Sequence, residues 1–196
     1  MNTKTTQAGI GLVEVMVALL LLAVAMLGYS ALQGQAIKVT NESFERSQSL
    51  VMMRNIAEKI HANPFAVTTY ETQLNVVTIP TKPGEMCGLD GTAVTALCEA
   101  AELATAESYK FRTELQNYDF QIQMHPCPST GGNGTDPTAN IMYSYCLISA
   151  WGDTTATIGS DDETDCLTAQ VAAAEGVAAQ AGGNYYSAAT CMMMEI

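Results

Sequence analysis

The sequence predicts an α+β protein built on one long N-terminal helix. Three observations predict it: an apolar run near the start that bears a single charge and continues as a helical pattern, alternating apolar segments in the second half, and six cysteines that all follow the apolar run.

The apolar run comes first. From Ile10 to Leu32 roughly 23 residues, rising about 1.5 Å each, reach about 34 Å, enough to cross a hydrocarbon core about 30 Å thick. A cleavable secretory signal has a shorter apolar core with its cleavage site behind it. Here a short polar leader, residues 1–9, precedes the run, so processing is expected before the helix. One carboxylate, Glu14, stands near its start, and Val15 to Leu27 follow without a polar side chain. Inserting an acidic group costs roughly 2.5–3.5 kcal/mol at mid-bilayer and less near an end, which makes Glu14 a functional candidate.

Past the span, Ile37, Phe44, Leu50, Met53, Ile56 and Ile60 recur at mostly helical spacing among Lys38, Glu42, Glu45, Arg46, Glu58 and Lys59. Residues 33–63 therefore read as an amphipathic continuation, giving one helix from Ile10 to about Ala62, roughly 80 Å long, with an outer stripe buried against a sheet. Asn63-Pro64 ends it, because proline disfavours helical geometry in the residue before it. No proline interrupts the helix; Gly28 and Gly34 are its weak points, each costing about 1 kcal/mol relative to alanine.

Residues 64–196 are expected to form one modest globular head. Turn clusters at Pro80–Gly84 and Gly88–Gly91 precede a second helix expected from about Thr92 to Leu115, with Cys98 inside it. Tyr118 to Met124 alternates as a strand with Tyr118, Phe120, Ile122 and Met124 on the core face. A Pro/Gly/Thr-rich loop over residues 125–140 leads to an apolar strand from Ile141 to Trp151. A polar stretch then runs through Asp165, an alanine-rich piece from Leu167 to Ala181 reads as a short helix, and Cys191 to Ile196 as a closing strand. The consecutive Met192, Met193 and Met194 would face alternate sides of that strand as core filling.

The charge balance narrows the function. With 20 acidic residues against 8 basic, and only Lys82, Lys110 and Arg112 as cations beyond Pro64, the head lacks the clustered basic residues that phosphate backbones require, so no nucleic-acid partner is expected. Two histidines, His61 and His125, accompany no Gly-x-Ser-x-Gly, His-Glu-x-x-His or phosphate-loop pattern, and Glu42 and Glu45 read as a solvated helix face; no enzyme and no cofactor are expected. Asp161, Asp162 and Asp165 form an oxygen-rich segment that is a weak calcium candidate, although the spacing is not that of an EF-hand.

Cys87, Cys98, Cys127, Cys146, Cys166 and Cys191 lie on one side of the span, an even count that reads as disulfides formed in an oxidising compartment. Lys4 on the leader agrees with an inside leader and an outside head. Without a Cys-x-x-Cys pair the spacing does not suit structural zinc. Fifteen connectivities remain open, and sequence does not choose among them. Local pairing is the expectation: Cys87 with Cys98, Cys127 with Cys146, and Cys166 with Cys191, each contributing about 2–4 kcal/mol in the chain-entropy model.

The leader with Lys4, the Gly9–Ile10 junction, Glu14 five residues after Gly9 and the apolar helix behind them resemble the class III signal of type IV pilins and pseudopilins. The resemblance implies cleavage after Gly9 by a prepilin peptidase, methylation of the new N-terminus at Ile10, and pairing of Glu14 with the terminal amine of a neighbouring subunit. It also implies the pilin α+β plan, a long helix as membrane anchor and spine packed on an antiparallel β-sheet. The text from Arg54 to Pro64, and the early cysteine pair followed by Ala101-Glu102-Leu103-Ala104, resemble the PilV-type minor pilins. Major pilins commonly carry a proline in the span, which this chain lacks.

That resemblance leads to the expectation of a minor pilin that helps initiate a type IV pilus and sits near its tip. Its partners would be other minor pilins, the major pilin, the peptidase and the inner membrane. The head would stand in the periplasm and later on the pilus at the cell surface. Two alternatives stay open: a minor pseudopilin of a type II secretion system, and an adhesin-like head carried on a pilin anchor.

Overall fold

Helix α1 (Leu12–Ala62) runs without interruption from the apolar segment to the stop at Asn63-Pro64. The computed structural model describes residues 11–78, 81–93, 97–128, 144–161, 163–169 and 182–196. Its contacts divide the chain into two compact units, Met1–Phe44 and Glu45–Ile196.

In the second unit a 3₁₀ turn (Pro64–Ala66) follows α1 and leads into α2 (Val67–Leu74) and α3 (Ala100–Leu115). Strands β1 (Phe120–Pro126), β2 (Tyr145–Trp151) and β5 (Cys191–Glu195) form an antiparallel sheet in the order β1-β2-β5, while β3 (Thr155–Gly159) and β4 (Asp165–Thr168) form a separate parallel pair. A long helix on an antiparallel sheet is thus the fold. The helical side chains Ser49, Met52, Met53, Ile56, Ala57 and Ile60, spaced three or four apart, form the buried stripe. With Tyr70, Leu74, Phe111 and Leu115 of the shorter helices they cover Phe120, Ile122, Met124, Leu147 and Trp151 of the sheet. The opposite face, with Ile148 and Ala150, packs on Ala156, Cys166 and Leu167 from the parallel pair. The three methionines divide as strand geometry requires: Met192 and Met194 join the helix-side core and Met193 the other.

Several elements differ from expectation. The stripe expected on α1 holds for Leu50, Met53, Ile56 and Ile60, but Ile37 and Phe44 are exposed. Helix α2 appears where only a connection was expected; Pro64 ends α1 and opens the 3₁₀ turn that leads into it. Helix α3 starts at Ala100 rather than Thr92, leaving Cys98 outside it. Glu99 and Glu102 form a reciprocal capping box that sets this start.

Tyr118 does not line the core; it lies in the turn after α3 and is 46% exposed, with β1 beginning at Phe120. His125 and Pro126, assigned to a loop, extend β1. The polar stretch before Asp165 contains β3, and Leu167 and Thr168 belong to β4 rather than a helix, since Leu167 is needed in the second core. The remainder of the expected alanine-rich helix, residues 170–181, lies outside the described residues, as do residues 129–143 of the loop and the next strand's start.

Candidate assembly site

Glu14 is the third residue of α1. Its backbone N–H donates to the carbonyl of Gly11 at 2.9 Å, closing the first turn. First-turn N–H groups have no carbonyl partner one turn earlier, so this helix end carries partial positive charge, and a carboxylate there complements the dipole. Gly9 and Ile10 lie outside the described residues. Around and beyond Glu14 the side chains face outward: Leu12, Met16, Leu20, Leu21, Leu27 and Leu32 are each more than half exposed. By length and composition the helix is able to cross a membrane. A surface this apolar calls for lipid or other helices around it, and Glu14 is the single acidic group within it.

All three disulfides pair as the local-pairing expectation held: Cys87–Cys98, Cys127–Cys146 and Cys166–Cys191. Each stitches a different joint. The first closes the turn ahead of α3, the second ties the end of β1 to the start of β2, and the third links β4 of the parallel pair to β5 of the main sheet. That distribution braces a head whose described core is divided between two sheet faces.

The acidic segment turns back on itself. The Asp165 carboxylate accepts from the Thr157 hydroxyl at 2.6 Å and from the Asp161 N–H at 2.9 Å, and Asp161 Oδ1 accepts from the Glu163 N–H at 3.0 Å. Asp165 also packs on Gly159, where any Cβ would collide with its carboxylate. Asp161 and Asp165 are thus engaged in shaping the β3–β4 connection; Asp162 lies outside the described residues.

His61 is exposed in the last turn of α1, where a basic group suits the helix dipole. His125 is half-buried, its Nε2 3.2 Å from the Ala156 carbonyl and 3.0 Å from Gln123 Oε1, so it links the main sheet to β3. Burial pushes its pKa below the ordinary imidazole value, with the Ala156 carbonyl and the Glu71 charge opposing the shift.

Sequence reasoning missed the brace around the first disulfide. Lys82 Nζ binds Asp90 Oδ2 at 2.9 Å, while Asp90 Oδ1 accepts from the Thr92 hydroxyl at 2.6 Å and its N–H at 3.2 Å. These hydrogen bonds, from Thr92 and then from Lys82, hold the Asp90 carboxyl well below the usual range. The Asp-x-Thr spacing is a local signal of such a turn.

Residues 4–30 match the model of the prokaryotic N-terminal methylation motif, and residues 31–109 match the model of Type IV pilin Tt1218. No curated protein and no solved structure matches the chain. Over residues 31–109 the chain is therefore similar to a type IV pilin, and over residues 4–30 it carries the prokaryotic N-terminal methylation motif.

Proposed function

We propose that this protein is a minor pilin of the PilV type that helps to initiate a type IV pilus and is incorporated near the tip. The observation that carries the reading is Glu14, one carboxylate in the first turn of an exposed apolar helix, inside the matched N-terminal methylation motif. In this reading residues 1–9 are a leader removed after Gly9, Ile10 becomes the methylated N-terminus, residues 10–32 span the inner membrane, residues 33–63 continue the helix, and residues 64–196 form the periplasmic head. A neighbouring subunit's terminal amine answers Glu14. Opposite charges attract strongly where water is scarce, and desolvation offsets much of the gain, so the pair fixes register as much as affinity.

The disulfides support an oxidising location for the head. The text from Arg54 to Pro64 supports the subtype. The test is deletion of the gene with surface piliation, twitching and exoprotein secretion scored together. Loss of pili with secretion intact is expected. Loss of secretion with pili intact would assign the chain to a type II secretion pseudopilus and overturn the reading. At residue level, Glu14→Gln and Glu14→Ala are expected to insert and be cleaved normally yet enter filaments poorly; normal incorporation of both removes the charge pairing.

A further inference from the structure

Strand β1 is an edge of the main sheet, and the Asn75 carboxamide occupies both backbone groups of Met124 on its outer side. Backbone groups along a strand alternate in direction, so those of Ile122 and Phe120 point the same way as those of Met124. Among the described residues nothing pairs with them. A groove of about 210 Å³ borders this stretch, lined in part by Val76, Val77, Arg112, Gln116, Phe120 and Ile122. We infer that the groove docks an extended peptide segment that bears an acidic side chain and adds to β1 as a further strand.

Asn75 shows what the edge accepts. Its carboxamide carries the donor and acceptor of a peptide group and engages Met124 through both. An added strand pairs with alternate residues of an edge, so a peptide in the groove meets Ile122, two residues along, in the same manner. The lining suits a strand as well. Leu115, Phe120 and Ile122 are buried, whereas Val76 and Val77 are exposed, Val77 at 91%. Valines left in water beside an open edge gain from a strand that covers them.

The acidic side chain follows from charge. Arg112 is the one charged residue in the lining, and no carboxylate pairs with it among the described residues. Its guanidinium donates to the carbonyls of Gln73, Val76 and Thr78, which fixes the residues after α2 beside the groove. Three of its five N–H groups are used in this way, and one on Nη1 and that on Nε remain. Partial burial disfavours the uncompensated charge, so a carboxylate brought against it forms a charge-assisted hydrogen bond and restores lost solvation. The chain carries a net charge of −12, yet charges beyond about 8 Å are largely screened at physiological ionic strength, so the local cation decides. Lys82, by contrast, already has Asp90. This inference rests on the head alone and not on the pilus reading.

The test titrates the full chain, in zwitterionic detergent, with a short labelled peptide of alternating threonine and valine that has glutamate at its centre, followed by fluorescence anisotropy. Saturable binding is expected, about tenfold weaker when glutamine replaces the glutamate. Of two further peptides methylated on alternate amide nitrogens, one in each phase, only one should lose binding, because an edge uses alternate amides. Hydrogen exchange at the Ile122 amide should slow in the complex. Arg112 also holds three carbonyls, so the protein variant is Gln116→Glu, at an exposed side chain of the lining; it should weaken the glutamate peptide about tenfold with the far-ultraviolet spectrum unchanged. Absence of binding, equal binding of the glutamate and glutamine peptides, indifference to both methylated phases, or an unchanged Ile122 amide overturns the proposal. Ile122 protection that rises with protein concentration without peptide also overturns it, by assigning the edge to a second copy of the chain.

Discussion

The carboxamide of Asn75 acts as a surrogate strand for Met124. Its Nδ2 donates to the Met124 carbonyl at 2.7 Å, and its Oδ1 accepts from the Met124 N–H at 2.9 Å, so one side chain satisfies both backbone groups on the outer edge of β1. Asn75 sits just after α2, and β1 is an edge of the main sheet. The pair therefore seals an edge and fixes the α2–β1 joint together.

Asn75→Ala should cost more than an exposed hydrogen bond would. Met124 is fully buried, so water does not readily replace the lost partner, and each orphaned group costs about 1–3 kcal/mol. Urea unfolding should show the loss, and hydrogen exchange should show the Met124 amide protected in the native protein and fast in the variant. Unchanged protection would mean that the edge is closed by something else.

His125 gives the head an acid-sensitive joint. Burial lowers its pKa in the folded state below the ordinary value near 6.5, so as pH falls the unfolded chain takes up the proton first. Its contribution is fully present above about pH 6.5, declines as pH drops from there toward the depressed folded value, and is constant below that. Unfolding measured from about pH 7.5 down to 5 should show this slope in the native protein. His125→Gln, which retains a donor for the Ala156 carbonyl, should lessen it.

The long apolar helix, its stop and the closing strand were legible in the sequence because each depends on local signals: continuous apolarity, Asn63-Pro64, and the apolar run from Cys191. The core stripe of α1 was legible only in part. Periodicity marks Ile37 and Phe44 as readily as Ile56 and Ile60, and it does not say which length of the helix meets a sheet. The β3–β4 pair was hidden because its polar side chains stabilise one another across strands, as Thr157 and Asp165 do, leaving no alternation to read. Glu14 stands out in the sequence because an isolated carboxylate in an apolar run is an energetic anomaly.

The disulfides should differ in worth. Cys166 and Cys191 are buried in the second core cluster and close a longer loop, a separation of 25 residues, than Cys87–Cys98 with 11. Replacing Cys166 and Cys191 together by alanine should cost at least about 2–4 kcal/mol, more than the same change at Cys87 and Cys98, because lost packing adds to lost loop constraint. Urea midpoints of the two double variants under non-reducing conditions decide the order.

Buried serines offer a change in the stabilising direction. The hydroxyls of Ser49 on α1 and Ser108 on α3 are fully buried and have no hydrogen-bond partner among the described residues. Each folds at the cost of stripping water from a polar group, and serine is a poorer helix former than alanine by a few tenths of a kcal/mol. Alanine deletes only the oxygen, leaving little cavity in a helix face already packed by Met52, Met53 and Ile56. Ser49→Ala and Ser108→Ala should therefore raise the unfolding free energy, each by up to about 1 kcal/mol, against the usual trend for core substitutions. Thermal melts of the single and double variants provide the check. The two gains should add, since the hydroxyls lie on separate helices and share no hydrogen bond; a loss in either variant would show that its hydroxyl has a bound partner in the native protein.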